Sequence, residues 1–242
     1  MTMSFRLFGA LRARGPGGPV LLTSRAERAV LAMLLLEPGQ VVPRHRLAGR
    51  GDRAASLDDT AAAIGQALVE AGAPGLLVPH AAGYRLDVDP RDVDVERFTA
   101  RAWAGRAALA AGDPAAAAAE LEAALAEWDE PLAEFAGEPF AGRVIADLEN
   151  LHAEAVQDRA EARLMLGDVD WCVTELAVLV GEMPYRERLW ELYATALCRA
   201  GRKPEALAVL HRVRNLLDEE LGLAPGPGLL ALETAIRGDG HP

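Results

Sequence analysis

Five basic residues fall within ten positions of this chain: Arg44, His45, Arg46, Arg50 and Arg53. That density suits phosphate contact, in which each guanidinium displaces a condensed counterion from a nucleic-acid backbone. Arg85, in Gly83-Tyr84-Arg85-Leu86, adds one more such donor. Reading a base edge is a different task, and it leans on Arg, Lys, Asn and Gln. The stretch that follows the basic cluster, Ser56 to Gly72, is helix-like but carries Asp58, Asp59 and Glu70 and no basic residue. Gln66 is its one side chain suited to a base edge, and its acids repel phosphates. The basic rim supports weak, nonspecific contact, or it is an ordinary set of solvated arginines.

Other chemistries find less support. The histidines at 45, 80, 152, 211 and 241 are scattered without ligand spacing, and no phosphate-cradling loop, nucleophile elbow or zinc motif occurs. Gly15 to Gly18 lacks a following Lys-Ser/Thr and reads as a turn. The pairs Asp58-Asp59 and Glu219-Glu220 are helix neighbours that point about 100° apart, most simply into solvent. Cys172 and Cys198 lie in helical patterns, and Cys172 is expected to be a small core residue rather than a nucleophile. No enzyme, catalytic residue, metal ligand or cofactor is expected.

The elements that must position the basic cluster can be read in order. Residues 5–22 alternate and break at Gly-Pro-Gly-Gly-Pro, which predicts a hairpin or a three-stranded sheet. Ser24 with Glu27 forms a capping box for a first helix that ends near Glu37-Pro38-Gly39. Val41 to Leu47 is expected to be a short second helix with a Val-Val entry, and Ser56 to Ala71 the third. Leu76–Val78 and Gly83–Leu86 then close as a hairpin. Sheet, three helices and hairpin are the order of a winged helix with an N-terminal sheet. In that fold the third helix enters the major groove and the hairpin touches a flanking phosphate or the minor groove.

The remainder is a helical repeat. Helix junctions at 111–114, 166–169 and 200–203 carry Gly112, Gly167 and Gly201. The last two are 34 apart, the tetratricopeptide period, and the first two 55 apart, which implies an insertion near 130–142. Seven residues before each glycine stand Gly105, Ala160 and Ala194; five after stand Ala117, Cys172 and Ala206. All six are small, as close helix crossings require. Trp103, Trp128, Trp171 and Trp190 are expected to be packing anchors. The first helices of such pairs line a binding face, which makes Glu154, Gln157, Glu161, Arg188, Glu191 and Thr195 candidate groove residues. A solvated helix face is the plain alternative.

Charge divides along the same line. Residues 1–95 hold 11 arginines against 10 acids, and the rest 14 basic against 26 acidic residues, a balance of −12. An acidic second half argues against nucleic acid there and favours a basic protein or peptide partner. With two cysteines, no signal peptide and no apolar run long enough to span a bilayer, a cytoplasmic protein with no membrane association is expected.

Three stretches resemble one family. They are Phe5-Arg6-Leu7-Phe8-Gly9; Gly83-Tyr84-Arg85-Leu86-Asp87 with Val93-Asp94 and Phe98; and Leu217-Asp218-Glu219-Glu220-Leu221-Gly222 with Pro225 and Leu232-Glu233. Together they look like the Streptomyces antibiotic regulatory protein family. The resemblance covers nearly the whole chain and implies a winged-helix domain over 1–92 and a bacterial transcriptional activator domain of tetratricopeptide-like helices over 93–242. It also implies binding to direct-repeat promoters and recruitment of RNA polymerase, usually for a biosynthetic gene cluster. The chain departs from the family at two places. Leu47-Ala48-Gly49-Arg50-Gly51 lacks the family's Trp and prolines, and Gln66-Ala67-Leu68-Val69-Glu70 stands where the family carries several arginines. The implied reading is a mainly α regulator whose DNA readout is weakened or lost. The alternative is an adaptor that binds a protein or peptide through the repeat domain and a reused winged helix. Whether it forms a homo-oligomer stays open.

Overall fold

The computed structural model describes residues 3–48 and 56–238. Arg50, Arg53 and His241 lie outside them. The chain forms two compact units, Met1–Ala102 with Ala123–His152, and Trp103–Glu122 with Ala153–Pro242.

The first unit opens with three short antiparallel strands, β1 (Ser4–Arg6), β2 (Arg12–Gly15) and β3 (Gly18–Pro19), in the order β1-β2-β3. Period-two alternation buries Phe5, Leu7, Leu11 and Ala13 and exposes Arg6, Arg12 and Arg14. Helix α1 (Arg25–Leu35) begins at the expected capping box. The Ser24 hydroxyl accepts from the Glu27 N–H, and the Glu27 carboxylate accepts from the Ser24 N–H. The helix buries Ala29 through Leu35 and packs on α3 and β6.

Val41 and Val42 are a strand, not the start of a helix. β4 (Val41–Pro43) pairs antiparallel with β6 (Gly83–Leu86), and β6 with β5 (Leu77–His80), giving a sheet of order β4-β6-β5. Two adjacent β-branched residues before a proline suit an extended edge better than a helix N-terminus. The second helix, α2, is only Arg44–Leu47. Helix α3 (Leu57–Glu70) starts at a second capping box, Ser56 with Asp59, and buries Thr60, Ala61, Ile64, Ala67 and Leu68.

The insertion at 130–142 joins the N-terminal sheet. The Gly9 N–H donates to the Glu130 carbonyl at 2.6 Å and the Leu132 N–H to that of Leu7 at 2.8 Å. Glu134, in a 3₁₀ turn over Ala133–Phe135, accepts from the Leu11 N–H and from Arg28. Asp94, 1% exposed, accepts from the Leu7, Phe8 and Val95 N–H groups. Phe8, Phe98 and Trp128 form one aromatic cluster, and Trp128 stacks on His152 at 4.1 Å.

The second unit is built from parts of α4 (Asp94–Ala110), α5 (Pro114–Leu125) and α6 (Ala141–Met165), and from α7 (Val169–Glu182), α8 (Glu187–Arg199), α9 (Lys203–Leu221) and α10 (Pro227–Gly238). Gly112, Gly167 and Gly201 have φ of 77°, 86° and 75°, the left-handed conformation that ends one helix and admits the next. Ala117, Ala160, Cys172, Ala194 and Ala206 are 0% exposed, and Gly105 is buried. The Cys172 thiol donates to the Ala160 carbonyl at 3.7 Å, so the crossing is a direct contact, and burial raises that thiol's pKa to about 11. Trp190 is 1% exposed and donates its indole N–H to Pro184. Trp103 is no packing anchor: it is 53% exposed, with the Arg106 guanidinium 5.2 Å from its ring centre. α10 packs on α8 and α9, held by Glu233 between Arg214 and Arg237.

Candidate nucleic-acid and partner surfaces

Arg44 emerges at the start of α2, beside the strand β4 that carries it to the edge of the wing sheet. Its guanidinium lies 2.5 Å from Asp58 on α3 and over the ring of Tyr84 on β6, 5.7 Å from its centre. The Tyr84 hydroxyl donates to the same Asp58 oxygen. Tyr84 first, and Arg44 with it, hold the Asp58 carboxyl below the usual range, while Asp58 raises the pKa of both partners. Asp58 is therefore not simply solvated. Neither is Asp59, the capping-box residue of α3. Glu220, likewise expected in solvent, accepts from the Tyr185 hydroxyl.

The other candidates repeat the pattern. Arg46 pairs with Glu37 at 2.5 Å. Arg85 forms a two-pronged pair with Asp87, which is held below its ordinary pKa by it. The Gln66 amide donates to Glu70 one turn on, at 2.9 Å. His45 is exposed on α2. Thus Arg44, Arg46, Arg85 and Gln66 each hold an acid of the same unit. The structure links Arg44 to α3 directly, and it ties Arg46, Arg85 and Gln66 to acids on their own or neighbouring segments. The residue sequence reasoning missed is Tyr84; its place in Gly-Tyr-Arg-Leu marked a wing, but nothing marked its partner.

The groove candidates behave alike. Arg188 on α8 bridges Glu161 on α6 and Glu191 on its own helix, each at 2.8 Å. Burial works against the Arg188 charge, and these two carboxylates outweigh it and raise its pKa. Glu154 pairs with Arg106 of α4, which also binds Asp158 at 2.8 Å. Burial raises the Asp158 pKa, and Arg106 partly offsets this. Gln157 and Thr195 donate to carbonyls of their own helices, those of Ala153 and Glu191. Four of the six candidates therefore belong to ion-pair networks spanning α4, α6 and α8, and two do not. Sequence reasoning missed Arg106 and Asp158. Asp158 was signalled by its position one turn after Glu154 on the same face.

Among the described residues no cluster of His, Cys, Asp and Glu could hold a metal ion, and no helix is long and apolar enough to cross a membrane.

Comparison with known proteins accounts for this frame. Residues 93–237 match the bacterial transcriptional activator domain. The chain is 34% identical to the transcriptional regulatory protein EmbR of Mycobacterium tuberculosis over 97% of its own length and 63% of EmbR, so it spans less than two thirds of that relative. It is 31% identical to the regulatory protein DnrI of Streptomyces peucetius over 97% of its length and 92% of DnrI. The regulatory protein AfsR of Streptomyces coelicolor is 34% identical, with 24% of its length covered. A solved structure of M. tuberculosis EmbR in complex with a low-affinity phosphopeptide superposes with a TM-score of 0.91, at 32% identity, over 98% of this chain and 65% of that one. The relatives are named as regulators rather than enzymes. By sequence and by fold, this chain belongs to the Streptomyces antibiotic regulatory protein family of transcription regulators.

Proposed function

We propose that this chain regulates transcription with weakened direct DNA readout, at promoters of the kind its family serves, those of biosynthetic gene clusters. One observation carries the reading: three of the arginines expected to touch DNA already hold carboxylates of the protein. Arg44 holds Asp58, Arg46 holds Glu37, and Arg85 holds Asp87. A phosphate must displace a carboxylate at each position before it gains anything. Helix α3 offers no cation in exchange, only Gln66, itself bonded to Glu70. Arg44, His45, Arg46, Arg50, Arg53 and Arg85 form the contacting rim in this reading, with RNA polymerase as a further partner.

The test is fluorescence anisotropy against DNA from upstream of the chain's own and neighbouring genes, at about 50 mM and about 200 mM salt, where a set of phosphate contacts shows as a steep loss of affinity. Weak binding with a shallow salt slope is expected. Tight, sequence-dependent binding with a steep slope would overturn the weakened readout.

A second reading is an adaptor that takes a protein or peptide through the repeat unit. It is supported by the α4–α6–α8 ion-pair face and by the exposed Trp103 beside it. No anisotropy change at low salt, together with retention of a partner by that unit, would favour it.

A further inference from the structure

The first unit holds a cavity of about 210 Å³ behind α2, bounded by α1, α4 and α6. Its walls are apolar: Met33 and Leu36 from α1 and its cap, Phe140 just before α6, and Val144 and Leu148 within it. Three charged side chains interrupt them: Glu37 and Arg46, which pair with each other, and Glu96. Glu96, in the first turn of α4, lines the cavity half-buried, and among the described residues no donor reaches it. The nearby groups that could have served are engaged elsewhere. Thr99 donates its hydroxyl proton to the Val95 carbonyl at 2.7 Å, and Arg46 at the rim is bound to Glu37 at 2.5 Å. Burial alone raises the Glu96 pKa; no partner pulls it back.

A half-buried carboxylate without a donor is under-satisfied, and a mostly apolar cavity whose other charges already pair with each other selects ligands by that group. An ammonium is the complement that satisfies Glu96 best, because charge-assisted hydrogen bonds are about twice as strong as neutral ones. We propose that this cavity is a binding site for a small apolar amine, whose ammonium pairs with Glu96 while its hydrocarbon lies against Met33, Leu36, Phe140 and Val144. This inference does not rest on how the chain treats DNA. Because Arg46 lines the rim, an occupant would touch α2, the segment that carries Arg44.

Of the chain's five methionines Met33 alone lines the cavity; Met1 and Met3 belong to the first unit and Met165 and Met183 to the second. The experiment is methyl NMR of methionine-labelled full chain titrated with n-hexylammonium and, separately, with hexan-1-ol. Hexylammonium is expected to shift the Met33 methyl saturably, with a dissociation constant of about 1–10 mM for so small a ligand. The Met165 and Met183 methyls should stay fixed, and hexan-1-ol should bind about tenfold more weakly. Glu96→Gln should weaken hexylammonium about tenfold or more. Should Glu96→Gln not fold, Val144→Phe, which fills the cavity from a half-buried wall position, serves instead and should abolish the Met33 shift. An unmoved Met33 methyl, equal affinity for amine and alcohol, equal affinity in Glu96→Gln, a shift that survives Val144→Phe, or equal shifts at Met33, Met165 and Met183 would each overturn the site.

Discussion

Asp58→Asn is the most informative single change to this chain. Asp58 accepts from both Arg44 and Tyr84, and it sits on the helix that would face the major groove. Replacing its carboxylate by an amide removes one negative charge from that surface and releases the Arg44 guanidinium, while the Ser56–Asp59 capping box that starts α3 is untouched. If Arg44 then takes one phosphate, the slope of log affinity against log salt steepens by about 0.9. Referred to about 1 M salt, where such contacts contribute nothing, that slope is worth about 15-fold in affinity at 50 mM and about fourfold at 200 mM. The assay is anisotropy with one fixed duplex at both salt concentrations, for the wild type, Asp58→Asn, and the double variant with Arg44→Ala. The gain should appear in the single variant and vanish in the double. If Asp58→Asn binds no more tightly and its slope is unchanged, Asp58 does not restrain Arg44. If the gain survives Arg44→Ala, it came from the lost charge alone, and the pairing argument fails.

Three further outcomes follow from packing and titration. Asp94→Asn should cost about 1–3 kcal/mol in urea denaturation, because an amide nitrogen accepts no hydrogen bond, so at least one of the Leu7, Phe8 and Val95 N–H groups that Asp94 now serves is left unpaired. Gly105→Ala should cost about 1–3 kcal/mol by the same measurement, since the new Cβ would lie 2.5 Å from the branch carbon of Leu121, which is fully buried. Arg28 and the Leu11 N–H hold the Glu134 carboxyl below its ordinary value of 4.5, the arginine most strongly, so its stabilisation is present above that pH and is lost as pH falls through the depressed folded value. The stability gap between wild type and Glu134→Gln should accordingly be constant near neutrality and close in acid; a gap that widens below pH 4.5 would refute the assignment.

The repeat was legible because its signals are local and steric. A glycine with positive φ at each junction and a small residue at each crossing are demands that the backbone makes on residue type, and Gly167, Gly201, Cys172 and Ala160 meet them in sequence order. The capping box at Ser24 was legible for the same reason. Val41 and Val42 were misread because a two-residue apolar run has no period, and only the distant β6 makes it a strand. The insertion could be placed but not its role, since its pairing with Leu7 and Gly9 spans more than 120 residues of chain. Likewise the candidate residues were found by type, whereas their state was not. Arg44 to Asp58 is a contact across 14 residues and Arg188 to Glu161 one across 27, and nothing in either neighbourhood announces its partner.

That hidden state bears on how this chain could engage DNA at all. A basic surface draws in nucleic acid from a distance because its charge is uncompensated. Here the described rim arginines present ion pairs, whose fields fall off faster than those of single charges, on a chain of net charge −11. Approach is then unassisted, and each phosphate contact becomes an exchange of one anion for another. Exchange is close to neutral for a single pair in water, where exposed pairs contribute about 0–1 kcal/mol. It becomes favourable only where several positions exchange together against an array of phosphates at fixed spacing. A duplex held in register by a partner or by a second copy supplies such an array; a lone encounter does not. On this argument Glu37, Asp58 and Asp87, the acids that hold the rim arginines, do not forbid DNA. They make its binding conditional on something else that brings the duplex to the surface, which is a property suited to a regulator that acts in company.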